Sequence, residues 1–250
     1  MKSFTKVLGG LVAALALTLP AQAATATLAE LLNGGSITAG DKLFDSWTNP
    51  YFASNIVGKA FNAANIIVTS LDGDDNPGPG LSFSVRAGEL TIAGDNVFAY
   101  IDLMFGFRAS ILPGFNKQIK DVSMGSLEAG YGWSSDTGDG PEDAGSYVHE
   151  SVGTAAGLND LAQLEVEFSY LGGDGPISKS VDAANFAPQN EVWVTKNILV
   201  WATAPTDNAG LYGFTQRFSQ QDSNVPEPGS LALAALALAG LGAASRRQRS

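Results

Sequence analysis

Period-two alternation of apolar and polar side chains is what most narrows the folds open to this chain. Leu81-Ser82-Phe83-Ser84-Val85-Arg86, Leu90-Thr91-Ile92, Leu164-Glu165-Val166-Glu167-Phe168-Ser169-Tyr170 and Tyr212-Gly213-Phe214-Thr215-Gln216-Arg217-Phe218 all alternate. On a strand, such a pattern puts the apolar groups on one face and the polar groups on the other. Continuous apolar runs at residues 66–68, 97–107 and 198–202 read as more deeply buried strands, the long one bent or broken near Gly106. Turn chemistry separates these segments, as in Asp72-Gly73-Asp74-Asp75-Asn76-Pro77-Gly78-Pro79-Gly80 and Gly172-Gly173-Asp174-Gly175-Pro176. Only residues 27–32, stopped by Asn33-Gly34, and residues 155–161 invite a short helix. No internal repeat of fixed period is present, which argues against a propeller or solenoid. The expected fold is therefore all-β, an antiparallel two-sheet β-sandwich or jelly roll.

The two ends follow different rules. Lys2 and Lys6, an apolar run over residues 7–19 and Ala21-Gln22-Ala23 form the three parts of a secretory signal peptide, with cleavage expected between Ala23 and Ala24. At the other end, Val225-Pro226-Glu227-Pro228 precedes an uncharged apolar run over residues 229–244, and Arg246, Arg247 and Arg249 close the chain. The two prolines hold the tetrapeptide extended. The apolar run is expected to be a transmembrane helix whose arginines stay on the cytoplasmic side. It would span ~24 Å at ~1.5 Å per residue, against a hydrocarbon core of ~30 Å, so the anchor is short. Three segments result: a signal peptide (1–23), a secreted domain (24–224) and a C-terminal signal (225–250).

That C-terminal order of motif, apolar helix and basic stop resembles the PEP-CTERM sorting signal of Gram-negative bacteria. The resemblance implies recognition at Val225, Pro226, Glu227 and Pro228 by the membrane protease-transpeptidase exosortase. It also implies a transient stay in the inner membrane, then display at the cell surface or in an extracellular matrix, with extracellular polysaccharide as a second partner. An ordinary tail anchor behind a Pro-rich linker is the alternative, although such an anchor needs about 20 apolar residues. The stretch Gly34-Gly35-Ser36-Ile37 to Gly40-Asp41-Lys42-Leu43-Phe44 also looks like the opening strand pair of other PEP-CTERM surface proteins, which begins a β-rich secreted domain without assigning an activity.

Composition limits the chemistry of the middle segment. The chain has no cysteine, so disulfides, thiol nucleophiles and thiolate metal sites are excluded. Its net charge is −11, and five of its 14 Lys and Arg lie in the two end segments, so the interior is more acidic still and repels nucleic acid. A single histidine, His149, rules out a two-His zinc site, and no G-x-S-x-G elbow accompanies it. It reads as a loop or strand-edge residue. Glu165 and Glu167 share a strand face about 7 Å apart at ~3.3 Å per residue, a glycosidase-like spacing that is also how a solvated strand face looks.

Calcium is the one cofactor the acidic turns could take. Asp72, Asp74 and Asn76 space oxygens like the start of an EF-hand loop, but Pro77 and Phe83 stand where Gly and Glu are needed. Asp136, Asp139 and Glu142 form a second oxygen-rich turn. Among the aromatics, Tyr131 and Trp133 are expected to be exposed and to offer a sugar-stacking surface, whereas Trp193 and Trp201 are expected in the core. The reading is a non-enzymatic exported surface protein associated with exopolysaccharide; the alternative is a secreted carbohydrate-binding or glycoside-cleaving domain.

Overall fold

The structure is a computed structural model that describes residues 23–134 and 142–223. The signal peptide up to Gln22 and the whole C-terminal signal from Val225 lie outside the described residues. Among the described residues, no helix is long and apolar enough to cross a membrane.

Among the described residues, fifteen strands form two wholly antiparallel sheets. The seven-stranded sheet contains β2 (Ile37–Ala39), β3 (Lys42–Ser54), β7 (Ala99–Ile111), β9 (Asp143–Gly153), β10 (Ala162–Leu171), β11 (Gly175–Lys179) and β13 (Glu191–Ala202), in the order β11-β10-β9-β13-β7-β3-β2. The eight-stranded sheet contains β1 (Thr25–Thr27), β4 (Ile66–Leu71), β5 (Gly80–Val85), β6 (Thr91–Ala93), β8 (Lys117–Trp133), β12 (Asp182–Gln189), β14 (Asp207–Arg217) and β15 (Gln220–Asp222). Its main order is β1-β4-β5-β14-β8-β12, with β15 beside β8 and β6 beside β14.

The alternation read from the sequence sets which side chains enter the core. Phe83 of β5 stacks on its register partner Phe214 of β14 at 4.7 Å and meets Phe105 of the other sheet at 5.9 Å. Phe44 of β3 meets Phe218, in the link between β14 and β15, at 5.7 Å. Fully burying each such ring stabilises by about 1.5–3 kcal/mol relative to leaving it exposed.

A polar network lies among these rings. Lys196 of β13 and Glu150 of β9 are direct register partners, both fully buried, and their side chains form an ion pair. From the other sheet, the Gln216 Nε2 donates to Glu150 Oε1 at 2.7 Å, and Lys196 Nζ lies 3.1 Å from Met124 Sδ and 5.1 Å from the Phe214 ring centroid. Burial pushes the Glu150 carboxyl up and the Lys196 ammonium down, while each partner pulls the other back.

Helix α1 (Leu28–Leu32) occurs where expected, because the Thr27 side chain accepts from the Glu30 N–H and Glu30 reaches back to the Thr27 N–H. Residues 155–161 do not form a helix. They close the β9–β10 hairpin, pinned where Asp160 accepts from the Thr154 N–H and hydroxyl at 2.8 Å each.

Bulges account for two further departures, and plain strand alternation for a third. β7 runs unbroken past Gly106 and keeps continuous register with β13; the irregularity lies in β3, whose pairing shifts between Asp45 and Tyr51. There Ser46 takes φ 54°, and the phase change turns Trp47 into the core against Phe107 at 4.7 Å. A shift between Leu211 and Gly213 buries Leu211 and leaves Tyr212 exposed, contrary to simple alternation with Phe214. The apolar run of β7 is buried on one face only, with Tyr100, Asp102 and Met104 on the outer face, and Val97 and Phe98 precede the strand exposed.

Candidate functional site

Four segments meet at one end of the strands and leave an open cleft of about 640 Å³. These are the β2–β3 turn with Gly40 and Asp41, the β4–β5 loop with Gly73, Asp74, Asp75 and Pro79, the β7–β8 connection with Phe115, and the facing ends of β8 and β15 with Lys117 and Gln220. Close backbone approach shapes the wall. A Cβ on Gly78 would fall 1.8 Å from the Phe218 carbonyl oxygen, and one on Gly40, whose φ is +55°, would fall 2.6 Å from Pro79 Cγ.

The polar groups of the cleft are held in a chain. Lys117 Nζ donates to Asp75 Oδ1 at 3.1 Å and pairs with Asp222 at 2.8 Å. Gln220 Nε2 donates to the Asp74 carbonyl at 3.3 Å and to Asp75 Oδ1 at 3.2 Å, while its Oε1 accepts from Lys42. Lys42 is fully buried and donates to Asp41 Oδ1 at 2.9 Å. The other Asp41 oxygen, Oδ2, is buried and has no hydrogen-bond partner among the described residues. Burial lowers the Lys42 ammonium, opposed first by Asp41; the Lys117 and Gln220 hydrogen bonds hold the Asp75 carboxyl below its ordinary range. Phe115 is 51% exposed at this cleft. The arrangement offers hydrogen-bond acceptors, a tethered cation and an apolar ring. Among the described residues, no histidine or serine lines the cleft.

The outer face of the seven-stranded sheet is the other place where the expected residues gather. Trp193 and Trp201 point outward here, because Val192, Val194, Ile198 and Val200 take the inward positions of β13. Trp201 is nonetheless buried and lies 6.0 Å from Tyr147, and Arg108 sits 5.8 Å from the Trp193 ring centroid. His149 is on β9, an interior strand between β10 and β13, rather than in a loop or on a sheet edge, with Glu165 and Asn197 as its cross-strand partners. Burial raises the Tyr147 hydroxyl pKa, and Asp102, Glu165 and Glu167 raise it further.

On the same face, Arg108 clamps Asp45 through Nε and Nη2 at 2.9 Å each and reaches Glu191 at 3.2 Å. The Arg108 hydrogen bonds hold the Asp45 carboxyl below its ordinary value of 3.8. An acid with a depressed folded pKa stabilises above its unfolded pKa and loses that contribution as pH falls through the folded one. Stability is therefore expected to drop below about pH 4, and Asp45→Asn should flatten that part of a stability-versus-pH curve measured by urea unfolding. A curve of unchanged slope would show that the clamp does not contribute.

Residues 224–248 match the family model of the PEP-CTERM protein-sorting motif. The chain carries a PEP-CTERM sorting motif. No curated protein matches the chain. Among solved structures, TmCBM61 in complex with β-1,4-galactotriose is 13% identical over 71% of this chain and 88% of its own, with a TM-score of 0.23. The enzymatically active domain of tailspike protein 4 from bacteriophage CBA120 is 9% identical over 70% of this chain and 19% of its own, with a TM-score of 0.25. At those TM-scores neither likeness bears on function.

The PEP-CTERM residues Val225, Pro226, Glu227 and Pro228, the arginines Arg246, Arg247 and Arg249, and Ala21 of the cleavage site lie outside the described residues, as do Asp136 and Asp139. Ala23 is the first described residue. Asp72, Asp74 and Asn76 are on the loop that walls the cleft. Arg217 donates to the Asp72 carbonyl at 3.0 Å, so this oxygen serves to dock the loop. Glu142 is exposed, and its N–H donates to the buried Asp207 carboxylate at 3.1 Å. Among the described residues, no group of three or more His, Asp or Glu is placed to hold a metal. Tyr131 is half-buried and stacks on Phe168 at 5.0 Å, so only Trp133, 46% exposed, offers an open ring.

Asp41, Lys42, Phe115, Lys117 and Gln220 were not singled out by the sequence patterns as cleft residues. The one signal was Gly40-Asp41-Lys42, a turn followed by a charge at the opening of a strand.

Proposed function

We propose that this protein is exported, sorted by exosortase at its PEP-CTERM motif after a transient stay in the inner membrane, and displayed at the cell surface or in the extracellular matrix. Its sandwich acts there as a non-enzymatic contact to exopolysaccharide. The motif match at residues 224–248 is the observation that carries this reading. A marginal apolar anchor of 16 residues (229–244) followed by arginines is consistent with temporary retention. Glu227→Ala and Pro228→Ala are each expected to leave the exported domain folded but stranded in the membrane with Arg246 to Ser250 still attached. Mass spectrometry of surface and membrane fractions checks this, and unchanged release of both variants would show that the motif is not read.

A secreted glycoside-cleaving domain is the second reading. It is favoured by Glu165 and Glu167, alternate residues of β10 whose register partners on β9 are His149 and Tyr147. Release of reducing sugar from the host polysaccharide, lost in Glu165→Gln, would support it over a binding role.

A further inference from the structure

We propose that the cleft between the β2–β3 turn, the β4–β5 loop and Phe115 binds a neutral pyranose unit of a polysaccharide. This deepens the polysaccharide-contact reading and rests on it. The first ground is the Asp41 carboxylate, which is 5% exposed and lines the cleft, with Oδ2 lacking a partner among the described residues. A buried acceptor left unpaired is costly, and a hydroxyl is a donor that satisfies it without bringing charge. The second ground is apolar: the exposed Phe115 ring, at the rim beside the buried Pro79, offers a surface on which the C–H face of a sugar ring can stack.

Charge narrows the class further. Asp41, Asp74 and Asp75 line the cleft in a chain of net charge −11, which disfavours uronates and sulfated sugars. The Lys42 and Lys117 ammonium groups already stand among these carboxylates, at 2.9 Å from Asp41 and 3.1 Å from Asp75, so a metal cation would meet like charge. Neutral hydroxyls suit such a mixture, because they can donate to the carboxylates and accept from Lys117. The cleft volume of about 640 Å³ lies within the usual range for a small-ligand site.

The test uses the full-length chain in detergent micelles, titrated calorimetrically with neutral gluco-, manno- and galacto-oligosaccharides and, separately, with an oligouronate. At least one neutral oligosaccharide should bind and the oligouronate should not. Phe115→Ala and Asp74→Asn, both at open positions, should each weaken binding roughly tenfold, equivalent to about 1.4 kcal/mol. Asp41→Asn should weaken it too, but its buried ion pair with Lys42 makes folding a separate question, which melting curves answer. The cleft assignment is overturned if neutral sugars bind equally well to Phe115→Ala and Asp74→Asn, if Trp133→Ala abolishes binding instead, or if the oligouronate binds more tightly. In those cases the polysaccharide-contact reading still stands through another surface. Absence of any glycan binding removes both, while the sorting test on Glu227 remains independent.

Discussion

Lys196→Ala is expected to destabilise the protein by about 3–5 kcal/mol, because it leaves the Glu150 carboxylate buried between the sheets without its cation. Glu150 is fully buried, and its remaining side-chain partner is the Gln216 amide, whose own Oε1 has no partner among the described residues. Glu150→Ala should cost a similar amount by stranding the ammonium. Replacing the whole network with apolar groups of similar size, as in Lys196→Met with Glu150→Leu and Gln216→Leu, should recover most of that loss or exceed the parent, since three desolvated groups disappear together. Urea unfolding of the single and triple variants measures this. Single variants costing under about 1 kcal/mol would place the pair in a solvated environment, where exposed ion pairs contribute that little.

Gly78→Ala and Gly80→Ala should each cost about 3 kcal/mol, the upper part of the usual range for overpacking. The obstacle is backbone. A Cβ on Gly80 would lie 1.9 Å from the Gln216 carbonyl oxygen, and one on Gly78 1.8 Å from that of Phe218, so strands must part for it to fit. In a domain of this size the loss corresponds to roughly 6–12 °C in melting temperature. Gly78→Ala should also disturb the cleft, because Arg217 anchors the same loop through the Asp72 and Gly78 carbonyls at 3.0 Å each. Gly173→Ala is the control: its Cβ meets no atom within 4 Å. Equal melting temperatures for Gly78→Ala, Gly80→Ala and Gly173→Ala would show that the loop does not sit against β14 as described.

The network at Lys196 was partly legible beforehand. Glu150 shares strand parity with Val148, and Lys196 with Val194 and Ile198, so both charges fall at inward positions. Parity alone does not reveal that they are register partners, nor that Gln216 arrives from the opposite sheet. The tryptophans show what strand position alone leaves open. Trp193 and Trp201 are expected in the core because they sit within strands; parity turns both to the outer face, where Trp201 is still buried beside Tyr147 while Trp193 is only half-buried beside Arg108.

For this protein, sequence by itself determined the all-β class, the short capped helix at Thr27, the exclusion of thiol chemistry and the PEP-CTERM signal at the C-terminus. Each depends on residues close together in the chain, where period, capping and turn chemistry are local. Tertiary structure alone decided the bulges that turn Trp47 inward and Tyr212 outward, the buried Lys196–Glu150–Gln216 network, and the cleft. The cleft brings Asp41, Asp75, Phe115 and Gln220 together from four distant segments. Strand order and register set those meetings, and they depend on how whole sheets pack rather than on any short run of residues.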